Sequence, residues 1–61
     1  MTDFRPGDRL VRIGQRNIGM FVTVIRSPTM DDGEMLVRIE TDDHRQGDWC
    51  VRYAKRVDPN A

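Results

Sequence analysis

Between residues 20 and 40 the chain reads Met-Phe-Val-Thr-Val-Ile-Arg-Ser-Pro-Thr-Met-Asp-Asp-Gly-Glu-Met-Leu-Val-Arg-Ile-Glu, two apolar runs on either side of Asp31-Asp32-Gly33. The second run alternates, so Met35, Val37 and Ile39 share one face of a strand and Leu36, Arg38 and Glu40 the other. The first run is apolar at nearly every position. That suits a strand buried on both faces, or one bent sharply enough to serve two layers of sheet. Gly33 supplies the left-handed residue of a hairpin turn. Ser27-Pro28 is expected to stop regular pairing, because proline has no amide hydrogen to donate. The rest of the chain then has to complete a sheet around this hairpin.

Pro6-Gly7-Asp8 is a turn signal leading into Arg9-Leu10-Val11-Arg12-Ile13. That strand puts Val11 and Ile13 on one face, Leu10 and Arg12 on the other. Gly14-Gln15-Arg16-Asn17-Ile18-Gly19 is a loop bracketed by glycines that can take positive φ, expected to carry Arg16 outward with Ile18 tucked beneath. Residues 41–47 form a polar connection. Asp48-Trp49-Cys50-Val51-Arg52-Tyr53 reads as a strand with Trp49, Val51 and Tyr53 on one face. A tight helical turn at Ala54-Lys55 precedes a short last strand, Arg56-Val57-Asp58. Apolar spacing of three and four is nowhere sustained, so no α-helix is predicted. Five short strands separated by glycine-bearing turns predict a small all-β barrel, whose closure removes exposed edges. Residues 1–5 and 59–61 are expected to be flexible ends.

At 61 residues the chain has room for one domain, which buries only about 60% of its unfolded surface. One cysteine cannot form an internal disulfide, and one cysteine with one histidine is too few ligands for structural zinc. The core must be made by packing alone, which favours a compact barrel or sandwich, or an oligomer. Ten basic and ten acidic residues give no net charge. That is weak support for non-specific nucleic-acid binding, which rests on a surplus of Lys and Arg, although a barrel can segregate charge onto one face. All the basic residues but Lys55 are arginine. Either the planar fork serves carboxylate or phosphate recognition, or a GC-rich genome has favoured arginine codons. The N-terminus lacks the apolar stretch of a signal peptide, and no apolar run approaches the ~20 residues that span a bilayer. With a free cysteine, this fits a cytoplasmic protein.

The order of these features resembles the SH3-like barrel superfamily: Pro6-Gly7-Asp8-Arg9 opening the first strand, a glycine loop, an apolar second strand, a hairpin into an alternating third strand, and a tight turn before a brief last strand. Within it the residues look most like a KOW or Tudor-like module. Gly19, Val22 and Ile25 approximate the KOW pattern, with Gly19 one residue farther from Val22 than that pattern has it. The chain is also similar at fold level to the plasmid-borne type II dihydrofolate reductases, in Gly7-Asp8-Arg9, the long second hairpin and the close of the chain. Those enzymes are tetramers with a Val-Gln-Ile-Tyr segment lining a shared pore; here Cys50-Val51-Arg52-Tyr53 stands in that place, so the activity is not carried over. Fold does not by itself imply function.

No residue pattern points to catalysis, and the sequence reads as non-enzymatic, with no metal, no cofactor and no small-molecule substrate implied. His44 beside Asp42 and Asp43, with Cys50 six residues on, reads as a solvated loop rather than a metal or acid–base cluster. Cys50 reads as structural. Asp31, Asp32 and Glu34 read as a turn in water rather than as an acid–base pair. Trp49 and Tyr53 read as core, against an alternative as the cation-binding cage of a Tudor-like module. If Met20, Val22 and Val24 face the core with Met35, Val37 and Ile39, then Phe21 and Leu36 face outward as neighbours, a protein-binding surface with Arg38. A sharp bend in the second strand would bury Phe21 instead. The leading function is therefore contact with another protein, or self-association, through the outer face of the central hairpin, as in a small bacterial or phage accessory or regulatory protein. The alternative is nucleic-acid binding by Arg12, Arg16, Arg38, Arg45 and Arg52, with Arg12 and Arg38 at outward strand positions.

Overall fold

The hairpin is the longest element of the fold. The computed structural model describes residues 4–57, and in these β2 (Phe21–Asp31) and β3 (Glu34–Glu40) are joined by the two-residue turn Asp32-Gly33. Both turn residues have positive φ, 51° at Asp32 and 80° at Gly33, as a tight turn matched to the twist of its strands requires. β1 (Arg9–Arg12) lies beside the start of β2, and β4 (Gln46–Cys50) lies beside β3. β5 (Ala54–Arg56) pairs with the far side of β1. All pairings are antiparallel, in one five-stranded sheet of order β4-β3-β2-β1-β5. Among the described residues no ladder joins β4 to β5, so the sheet is open. A 3-10 turn, Val51–Tyr53, is the one helical element described.

Ser27-Pro28 does not end β2, contrary to expectation; it slips the ladder instead. β2 advances two residues, Val24 to Arg26, while β3 advances one, Ile39 to Arg38; β2 then advances three, Arg26 to Thr29, against two from Arg38 to Leu36. Each slip inserts an extra residue into β2 and bends it. Proline is tolerated because β1 pairs only with residues 21–23 of β2, leaving the later part of β2 an edge on that side.

Leu10, Val22, Val24, Val37 and Ile39 from the strands form the core with Phe4, Val51 and Ala54, and Trp49 packs against it. Burial of Leu10 and Arg12 shows that this face of β1 is the inner one, while Ile13 is exposed. Three expected core positions lie outside it. Ile18 is 70% exposed rather than tucked under its loop. Met20 precedes β2, its amide donating to the Asn17 carbonyl, and Met35 sits next to the turn opposite Met30, past the end of the core.

The end of the chain is also shifted relative to expectation. Pairing of β4 ends at Cys50, opposite Leu36, and the helical turn falls at Val51–Tyr53 rather than at 54–55. The chain must leave β3 here and cross to β1, and the turn does this while still delivering Val51 to the core. The last strand accordingly starts at Ala54, and Asp58 lies outside the described residues. Of the expected flexible ends, residues 1–3 and 59–61 lie outside them too, while Phe4 is buried in the core.

Candidate functional site

Strand register places Arg26, Arg38 and Asp48 in one row across β2, β3 and β4. The next row toward the turn is Thr29, Leu36 and Cys50. Both rows lie on the outer face, since β3 turns Val37 and Ile39 inward. All of these but Cys50 line an open groove of about 460 Å³, which continues to Met30 and Asp31 at the turn. Leu36 is half-buried in it. Arg38 Nη1 donates to Asp48 Oδ2 at 3.4 Å, a long contact, and Arg38 Nε is buried without a hydrogen-bond partner among the described residues. Arg26 is exposed and has no ion pair there. Like charges directly opposite across a ladder are unfavourable, so Arg26 and Arg38 form an electrostatically unsatisfied pair. Arg26 was not legible as a site residue, because only the slip after Val24 turns it to the Arg38 side.

Phe21 belongs to the same face but not to the same place. It is 47% exposed at the start of β2, opposite Val11, with the Arg9 guanidinium 5.7 Å from its ring centre. The rows of Thr23 and Arg26 separate it from Leu36, so the expected adjacency of Phe21 and Leu36 is corrected: Leu36 pairs with Thr29 near the turn, at the opposite end of the hairpin from Phe21. Arg9 also donates to Thr23 Oγ1 and, through both Nη atoms, to the two Asp42 carboxylate oxygens at 2.9 and 3.1 Å. That bidentate hydrogen bond holds the Asp42 carboxyl below its ordinary pKa and raises that of Arg9.

Arg12 is not outward, as the sequence suggested, but 8% exposed, on the inner face of β1. Its guanidinium lies over the rings of both Trp49 and Tyr53, 5.1 and 5.4 Å from their centres, and Nε donates to the Gly14 carbonyl at 2.8 Å. Arg52 lies over the Tyr53 ring as well, at 5.0 Å. Trp49 and Tyr53 are thus half-buried around a cation, and the cation is the chain's own. Gly14 closes the end of this stack so tightly that a Cβ there would stand 2.5 Å from Tyr53 Cδ1.

The remaining predicted arginines are dispersed. Arg38 pairs with Asp48, Arg45 with Asp43 at 3.3 Å, and Arg52 with Glu34 at 2.8 Å. Arg16 is exposed in the loop of residues 14–19, where Gln15, Asn17 and Gly19 take positive φ. His44, with φ of 68°, sits in the β3–β4 loop at the opposite end of β4 from Cys50, so the fold does not bring these two together. In that loop the Thr41 hydroxyl bonds Asp43 and lowers its pKa. No helix among the described residues is long and apolar enough to cross a membrane. No protein-family model, curated protein or solved structure matches the chain.

Proposed function

We propose that this chain is a non-enzymatic binding module of the SH3-like barrel type that contacts another protein through the outer face of the β2–β3 hairpin. The carrying observation is the groove on that face, where half-buried Leu36 lies beside Arg38 and Arg26, which has no ion pair among the described residues. Exposed Phe21 extends the apolar surface at the other end of the hairpin. Apolar anchors rimmed by polar and charged groups are the usual anatomy of a protein–protein contact. A nucleic-acid stripe has less support: of the five arginines that would form it, Arg12 is buried, and Arg38, Arg45 and Arg52 are each paired with an acid. Barrel geometry is supported by the connection of the sheet's two end strands. Only residues 51–53 separate β4 from β5, so Cys50 and Ala54 lie within about 14 Å of each other.

Phe21→Ala and Leu36→Ala test this reading. Each variant should keep the wild-type amide spectrum while weakening association with the protein partner, and nuclease treatment should leave wild-type association unchanged. Unfolding by either substitution would assign that residue to the core. Association lost to nuclease and falling steeply with salt would transfer the function to nucleic acid.

A further inference from the structure

We infer that the Arg26–Arg38 row of this groove is a carboxylate-binding site, which takes an Asp or Glu side chain from an acidic segment of the partner protein. The inference rests on the hairpin-surface reading above and names the chemistry of its partner. Three features of the row point the same way. Arg26 and Arg38 are paired across the ladder, side by side and alike in charge. Asp48 answers only one of them, through a single contact at 3.4 Å, near the limit of a hydrogen bond. Arg38 Nε is buried with no acceptor among the described residues, although guanidinium N–H groups in folded proteins are ordinarily satisfied. A planar anion between the two forks relieves the repulsion and gives both guanidiniums short, charge-assisted hydrogen bonds. Because its present contacts are poor, Arg38 loses little on turning from Asp48 toward such a ligand.

The surroundings favour a carboxylate on a peptide over a phosphate on a nucleic-acid backbone. Asp31 and Asp48 also line the groove, so its formal charge balances, and a polyanion passing along it would meet both acids. A single carboxylate can sit between the arginines without approaching Asp31 at the turn. Leu36 supplies an apolar floor for the side chain beside that carboxylate, and Thr29 a hydroxyl for a polar one.

The test is a titration of the isotope-labelled chain, followed through the arginine Nε–H signals and the Leu36 methyl groups. The probes are an end-capped Glu-Leu-Glu tripeptide, its Gln-Leu-Gln counterpart, and a ten-residue oligothymidylate. Saturable shifts at Arg26, Arg38 and Leu36 are expected with the Glu peptide, and none with the Gln peptide. Arg26→Gln and Arg38→Gln should each weaken binding about tenfold, the loss of one charge-assisted hydrogen bond. Equal shifts from both peptides, or none at either arginine, would overturn the inference. Saturation by the oligonucleotide alone would assign the row to phosphate and overturn it likewise. The two readings fail differently. If Leu36→Ala releases the partner protein but Arg26→Gln and Arg38→Gln do not, the surface stands and the carboxylate site falls. If none of the three releases it, the surface reading itself falls.

Discussion

Removing Arg12 should cost this protein a large part of its stability, although arginine is ordinarily a surface residue. In Arg12→Ala the lost groups can be counted from the structure. Two methylenes of the stem, Cγ and Cδ, leave a buried site, at about 0.8 kcal/mol each, or roughly 1.6 kcal/mol. The guanidinium's contacts with Trp49 and Tyr53 contribute about 0.5–1 kcal/mol each where the rings are partly exposed. The Gly14 carbonyl loses its donor, at about 1 kcal/mol or more. The charge no longer has to be desolvated, which offsets part of this. The net cost is about 3–4 kcal/mol, against a total of about 3–9 kcal/mol for a domain of this length. Arg12→Met keeps the apolar stem and the ring contacts of a polarizable side chain, so it should cost only about 1–2 kcal/mol. Urea unfolding followed by Trp49 fluorescence provides the assay, since Trp49 is the chain's single tryptophan. With a slope of about 1 kcal/mol per molar urea, the midpoint should fall by about 3 M in the alanine variant. A loss below about 1 kcal/mol in Arg12→Ala would refute the reasoning, because the stack would then be a surface contact and not part of the core.

Two further outcomes follow from local geometry. Gly14→Ala places a methyl against the Tyr53 ring, over which Arg12 and Arg52 both lie; it should destabilise by about 1–3 kcal/mol and shift the Tyr53 ring resonances. A variant with wild-type stability would mean that the ring moves aside freely. Asp42 should titrate below the ordinary 3.8, and Arg9→Gln should return it to that value, both read from its carboxyl carbon shift. Because the folded-state pKa is lowered, the pair's contribution to stability is complete above 3.8 and is lost as pH falls through the lower folded value. An Asp42 pKa unaffected by Arg9→Gln would show that the bidentate pair does not persist in solution.

The sequence alone determined the all-β class, a turn within Asp31-Asp32-Gly33, and Val22, Val24, Val37 and Ile39 as inward, although it grouped the exposed Met20 and Met35 with them. Those are local matters. Period-two patterning tells which residues share a face, and Asp-Gly between two such runs fits only a narrow range of turns. Leu36 and Arg38 on an outward face were legible for the same reason. What the tertiary structure decided was every feature that depends on how one strand meets another. The slips around Ile25 and Ser27-Pro28 are invisible in β2 read by itself, because they are defined by the count of residues on β3; they turn Arg26 to the side of Arg38. Alternation told that Arg12 shares a face with Leu10, but which face lies inward depends on the 3-10 turn bringing Tyr53, and β4 bringing Trp49, against Arg12. The same limit applies to Phe21 and Leu36. Alternation put both outside, and only the register revealed that they mark opposite ends of the hairpin, with the arginine row between them.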